Sequence, residues 1–210
     1  AEKFSWYENR PLAGKKILVT RPKELVSTLS EKLKDKGAEV LEIPTIRIVP
    51  IKDNKTLKNA LHQIYQYQWL VFTSPSGVIV FFDAMREEKI DIRKLGTIKI
   101  AVIGEGTKKK VEEKGIFVDL MPERYDGKSL GDAIGKNCAE GENILIPRAS
   151  IGNNEIMEEI VKNQQVKISD IPIYDTVYQK QKMIYLKKEF EQGTIDFTIF
   201  TSKSNIKGFV

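Results

Sequence analysis

Two strand-to-helix junctions carry the residues best suited to chemistry. Thr73-Ser74-Pro75-Ser76 follows the apolar run WLVFT, and Thr201-Ser202-Lys203-Ser204 follows DFTIF, 128 residues later. Ser74 stands where a helix N-cap belongs, with Pro75 at the first helical position, so free backbone N–H groups and the positive end of the helix dipole face outward. One capping serine needs no ligand, whereas two matching copies also suit a carboxylate or phosphate held at each helix start. Thr73, Ser74, Ser76 and Ser202 are therefore candidate anion-binding residues. Gly104-Glu105-Gly106-Thr107 follows a third apolar run, and its small residues let backbone N–H groups approach an anion. It is no dinucleotide fingerprint, because Lys109 stands where the third glycine belongs. Arg21 and Arg148 end the runs KILVT and NILIP, where a guanidinium forms either a surface salt bridge or a bidentate contact with a carboxylate ligand. Tyr174, in the extended segment IPIYDTVY, either packs or offers its phenol as a proton or hydrogen-bond donor.

Other chemistries are poorly served. With one cysteine, Cys138, and one histidine, His62, an internal disulfide is impossible, and Cys/His zinc sites and Ser-His-Asp triads are disfavoured. His62 falls in an amphipathic helix and Cys138 near the end of another, positions of surface and packing residues. Of 210 residues, 41% are hydrophobic and 30% charged, with a net charge of +5 that is dispersed and accompanied by no nucleic-acid motif. No apolar run approaches the roughly 18 residues that cross a bilayer, and AEKFSWYENR is too polar for a secretory signal. A cytoplasmic protein is expected.

The elements that must position these residues alternate. Short apolar runs at 16–20, 39–43, 69–73, 98–103, 116–120, 143–147 and 196–200 predict strands buried on both faces. Amphipathic helices are predicted between them, at 56–66, 75–87, 106–114, 128–138, 153–163 and 182–192. An earlier helix is expected from Pro22, with Leu25, Leu29 and Leu33 on one stripe and Gly37 at its end. Segments 45–50 and 166–179 read as extended linkers. Such alternation predicts parallel α/β sheets flanked by helices.

The chain also repeats itself. Lys16-Ile-Leu-Val-Thr-Arg21 matches Asn143-Ile-Leu-Ile-Pro-Arg148 at an offset of 127, and Ile43-Pro-Thr-Ile46 matches Ile171-Pro-Ile-Tyr174 at 128. Trp69 to Ser76 matches Phe197 to Ser204, also at 128. Three blocks in one order at one offset imply two similar α/β lobes. Only 68 residues follow Glu142, so the second copy is expected to be cut short inside the helix after strand 196–200, roughly 60 residues early.

The ordered motifs KILVTRP, IPTI, WLVFTSPSGV, IAVIGEGT, ILIPRA, IPIYDTVY and FTIFTSKS resemble uroporphyrinogen-III synthase along residues 15–210. The resemblance implies two lobes joined by a two-stranded connector. Lobe one would comprise 15–45 plus 174–210 and lobe two 46–173, behind a lead-in at 1–14. FSWYENRPLAGKK is similar to the junction where this synthase is fused behind a uroporphyrinogen-III methyltransferase. The family's reaction closes hydroxymethylbilane to uroporphyrinogen III with inversion of the last pyrrole ring and loss of water, with no metal or organic cofactor and no nucleic-acid or membrane partner. By the resemblance, Tyr174 assists departure of the hydroxyl and Thr107 hydrogen-bonds the substrate. Arg21, Thr73, Ser74, Ser76, Gly104, Arg148 and Ser202 would hold its carboxylates. A monomer is expected. A two-lobed small-anion binding protein without catalysis is the competing expectation.

Overall fold

A computed structural model describes residues 9–20, 27–179 and 183–209. It divides into two compact units, Ala1–Val49 with Thr176–Val210, and Pro50–Asp175.

The first unit holds a three-stranded sheet in the order β2-β1-β8, with β1 (Lys16–Val19) paired in parallel with β2 (Glu39–Glu42) and β8 (Phe197–Ile199). Ile17, Leu18 and Val19 are all buried, as a strand covered on both faces requires. Helices α1 (Ser27–Asp35), α7 (Met183–Glu191) and α8 (Lys203–Phe209) complete it. Leu29 and Leu33 of α1 pack on Ile17 and Val19, which is the stripe the leucine spacing predicts. The Thr45 hydroxyl donates to the Asn205 carbonyl at 3.1 Å and ties α8 to the end of β2. Arg21, Pro22 and Leu25 lie outside the described residues.

In the larger sheet, the order is β3-β7-β6-β4-β5, from β3 (Ile46–Pro50), β4 (Trp69–Phe72), β5 (Lys99–Val102), β6 (Asn143–Ala149) and β7 (Lys167–Tyr178). β3 and β7 each run across the boundary between the units. The pairs β4–β5, β4–β6 and β6–β7 are parallel. Every residue of the interior strand β4, WLVF, is buried. The intervening helices are α2 (Lys55–His62), α3 (Pro75–Glu87), α4 (Glu105–Glu112), α5 (Gly127–Asn137) and α6 (Glu155–Asn163). Phe81 and Phe82 of α3 close on Phe72, with centroids at 5.4 and 6.2 Å, so one helix face seals the sheet. Cys138, at the end of α5, is buried among Trp69, Ile134 and Ile144 as a packing residue.

Two predicted elements are corrected. The helix expected at 56–66 ends at His62 and passes into a 3₁₀ turn, Ile64–Gln66. The strand expected at 116–120 is a single bridge between Leu120 and Ala101, and Phe117 stands 85% exposed. That apolar run forms no ladder because its contacts with β5 are confined to Asp119 and Leu120.

The strand order reverses between β4 and β6: from β4 the chain passes to β5 on one side, then returns to β6 on the other. In open α/β sheets a ligand crevice forms beyond the carboxyl ends of the strands flanking such a switch point. Those ends are Thr73-Ser74 and Arg148-Ala149.

Candidate active site

At the end of β4 the backbone of Ser74 is extended (φ −160°, ψ 153°) and its Oγ accepts the Gly77 N–H at 3.0 Å. This is the N-cap geometry expected of a Ser-Pro start, and α3 runs from it for 13 residues. The same Oγ lies 2.8 Å from the Tyr174 hydroxyl. A Cβ built on Gly77 would stand 3.9 Å from Tyr174 Cε1, so the phenol ring lies against the first turn of α3.

Tyr174 owes its position to a bulge. Strands β6 and β7 stay in step from Asn143↔Lys167 to Arg148↔Pro172, after which Ala149 pairs with Tyr174 and Ile173 is passed over. A one-residue shift exchanges the faces of a strand, so Ile173 and Tyr174, adjacent in sequence, are both buried. Tyr174 is only 4% exposed. Burial pushes its phenol above the ordinary range, with the Ser74 hydrogen bond opposing, so at neutral pH it keeps its proton and can donate or accept.

Next to this pair is the start of α4. A Cβ built on Gly106 would stand 3.8 Å from Pro75 Cγ, which places the first turns of α3 and α4 side by side. No side chain caps α4 at Gly104, so its leading N–H groups and dipole act through backbone alone. Gly104 is extended and unstrained, and Tyr125 lies over it, with Cγ 2.9 Å from where a Cβ would be. Thr107, in this turn, is buried, as is Ser76 in the first turn of α3, while Thr73 is half-buried.

Arg148 takes up the other expectation for its residue type, an ion pair. It grips Asp170 through Nε at 2.5 Å and Nη2 at 2.7 Å, and donates to the Asn153 carbonyl and Asn154 Oδ1. Its charge is compensated within the fold, which binds β6 to β7 instead of leaving a free cation. In the other unit, Ser202 Oγ accepts the Asn205 N–H at 3.2 Å and caps α8 as Ser74 caps α3. Tyr174, Ser74, Ser76, Gly104 and Thr107 thus belong to one unit, Ser202 to the other, and Arg21 to the undescribed residues. Gly77, Tyr125 and Asp170 are the neighbours that sequence reasoning missed. Gly77 carried a signal as the third residue after a capping serine; Tyr125 carried none.

Among the described residues no group of three or more His, Cys, Asp or Glu side chains could hold a metal ion. A cavity of about 640 Å³ lies elsewhere, along α5 and α6, where Asp126, Asp132, Glu155, Glu158 and Glu159 outnumber Arg124, Lys128 and Lys162, a lining that does not favour a polyanion. The switch point suits such a ligand: carboxylates at two helix starts and, against the first of them, a neutral phenol able to protonate or hydrogen-bond an oxygen.

These features define a duplicated parallel α/β protein with a hydroxyl pair at the topological switch point of one unit. The chain belongs to the uroporphyrinogen-III synthase family, whose profile, described as uroporphyrinogen-III synthase HemD, matches residues 27–210. It is 39% identical over 210 residues to the porphyrin biosynthesis protein HemD of Ruminiclostridium josui, covering all of this chain and 42% of that protein. It is 26% identical over 203 residues to the uroporphyrinogen-III synthase of Synechococcus elongatus, covering 95% of this chain and 75% of that protein. The chain thus spans less than half the length of the first relative. Among solved structures, a mutant uroporphyrinogen III synthase from Thermus thermophilus superposes with a TM-score of 0.60 at 12% identity, over 93% of this chain and 75% of that one, a likeness of fold.

Proposed function

We propose that this protein is a lyase that cyclises hydroxymethylbilane to uroporphyrinogen III, with inversion of ring D and loss of water, in the tetrapyrrole biosynthesis that leads to haem, sirohaem and cobalamin. The observation that carries this reading is the Tyr174–Ser74 hydroxyl pair, 2.8 Å apart, beside the uncapped start of α4. The substrate supplies the reactivity. As its terminal C–O bond breaks, the Tyr174 proton goes to the departing oxygen, and water leaves. The pyrrole nitrogen supplies the electron pair for the new double bond; its N–H proton is then lost and restores the phenol, leaving a neutral azafulvene. The far ring attacks this azafulvene through its substituted carbon to give a spiro intermediate, which reopens and closes inverted. Carboxylates of the substrate rest on the first-turn N–H groups of α3 and α4, near Thr73, Ser76, Gly104 and Thr107. Uncatalysed closure gives the type I isomer, so the enzyme's contribution is to hasten dehydration and hold the chain in the geometry for inversion.

The test is to incubate the protein with hydroxymethylbilane, oxidise the products and separate the isomers. Type III product above the spontaneous rate is expected; type I alone, at the spontaneous rate, would leave the anion-binding alternative. We further propose that segment 4–16 joins the synthase to an upstream methyltransferase, in keeping with the greater length of the Ruminiclostridium josui relative. An immunoblot of the native polypeptide, with a band near 23.9 kDa counting against fusion, decides this.

A further inference from the structure

The two hydroxyls of the pair share a single O–H···O hydrogen bond, so only one of their two protons is used in it. Gly77 N–H, Ser74 O–H and Tyr174 O–H converge on Ser74 Oγ and Tyr174 Oη. Gly77 uses one lone pair of Oγ. If Ser74 then donates to Oη, the phenol proton has no protein acceptor among the described residues and points to a ligand; if Tyr174 donates to Oγ, the serine proton does so instead. One hydroxyl proton is left over in either case.

The repeat shows that capping alone does not require this arrangement. At the matching junction Ser202 caps the Asn205 N–H at 3.2 Å, yet the residue that corresponds to Tyr174 is Ile46. The residue that corresponds to Gly77 is Asn205. The phenol ring lies in van der Waals range of Gly77, 3.9 Å from its would-be Cβ, whereas the other copy has an amide at that position and an aliphatic residue in place of the phenol. The copies therefore differ at both positions. Serine is common to both, and of the two it is Ser74 that meets a phenol.

We propose that Ser74 is a positioning residue that fixes the direction of the Tyr174 hydroxyl proton toward the bound substrate, a function its repeat counterpart Ser202 lacks. The inference rests on the proposed synthase reaction. Donation by Ser74 to Oη leaves the phenol proton free and favours its transfer, because the developing phenolate keeps a hydrogen bond; the same bond works against the burial that raises the phenol's pKa.

The experiment is a kinetic cycle in the complete protein with hydroxymethylbilane as substrate. Ser74→Gly is the probe, since glycine is nearly as good an N-cap as serine and the fold is retained. It should lower kcat about tenfold with KM within about twofold, and Ser74→Thr, which keeps the hydroxyl, should recover at least about half of the wild-type kcat. In a Tyr174→Phe background Ser74→Gly should cost nothing further. An equal kcat loss in both backgrounds, a loss confined to KM, an unchanged kcat, or failure of Ser74→Thr to recover activity would each overturn the proposal. Should Tyr174→Phe alone turn over like wild type, it is the assignment of the phenol to catalysis that fails, a result separable from any seen at Ser74.

Discussion

Tyr174→Phe removes one oxygen atom and should separate catalysis from folding. The ring keeps its place against the first turn of α3, so the folding loss is confined to the 2.8 Å contact with Ser74. A neutral hydrogen bond contributes about 0.5–1.5 kcal/mol net, and Ser74, half-buried and still bonded to Gly77, keeps the loss near the lower end. At this chain length about 1 kcal/mol lowers Tm by only about 2–4 °C. A positioned general acid contributes about 10²–10⁴-fold, equivalent to about 2.7–5.5 kcal/mol of barrier, so kcat should fall far more than stability. It should also fall more than for any single Ser→Ala change. Initial rates of type III formation at saturating hydroxymethylbilane, with thermal unfolding in the same buffer, measure both. A kcat within about threefold of wild type, or a loss matched by the unfolded fraction, would refute the reasoning. The substitution also has an alkaline signature. The Tyr174 pKa is raised in the folded state, so its contribution is intact below the unfolded value of about 10 and is lost as pH rises toward the folded value. Above about pH 10, wild-type stability should therefore fall more steeply than that of Tyr174→Phe.

Three further outcomes are expected. Gly104→Ala suffers no backbone strain at its extended φ, but its Cβ meets Tyr125 at 2.9 Å; the half-exposed ring can yield, so Tm should move by less than about 3 °C while KM for hydroxymethylbilane rises several-fold, about 3–10-fold, and an unchanged KM would remove the α4 start from the binding site. Gly131→Ala puts a Cβ 2.6 Å from the Ile156 carbonyl and 2.8 Å from Glu159 Cβ, forcing α5 from α6 at about 1–3 kcal/mol, and a wild-type Tm would contradict this packing. Cys138, the single thiol, is 6% exposed and raised in pKa by burial, so Ellman's reagent should react with it only after unfolding; prompt labelling of the native protein would show the α5 end to be open.

The sequence signals that survive folding intact are local ones. Ser74 and Pro75 specify a helix start through adjacent atoms, and α3 spans Pro75–Glu87 as the pattern predicts. The buried apolar runs likewise become parallel strands, because a strand covered on both faces needs little beyond its own composition. IFVDL fails as a strand for a related reason: apolar composition allows a ladder, but a neighbour must supply one, and β5 meets it only at Asp119 and Leu120. The site depends on longer reach. Arg148 finds Asp170 across 22 residues, and Ser74 finds Tyr174 across 100, through a bulge after Arg148 that no turn residue announces. The repeat partly bridges that distance. Its offset of 128 sets Tyr174 against Ile46 and Gly77 against Asn205, so the sequence already contains the difference between the copies. Only the contact between phenol and cap gives the difference a meaning: the capping serine needed to start either helix is, in one unit, also the hydrogen-bond partner of the buried phenol beside it. Two matching helix starts thus differ beside the cap, with Tyr174 in one copy where the other has Ile46.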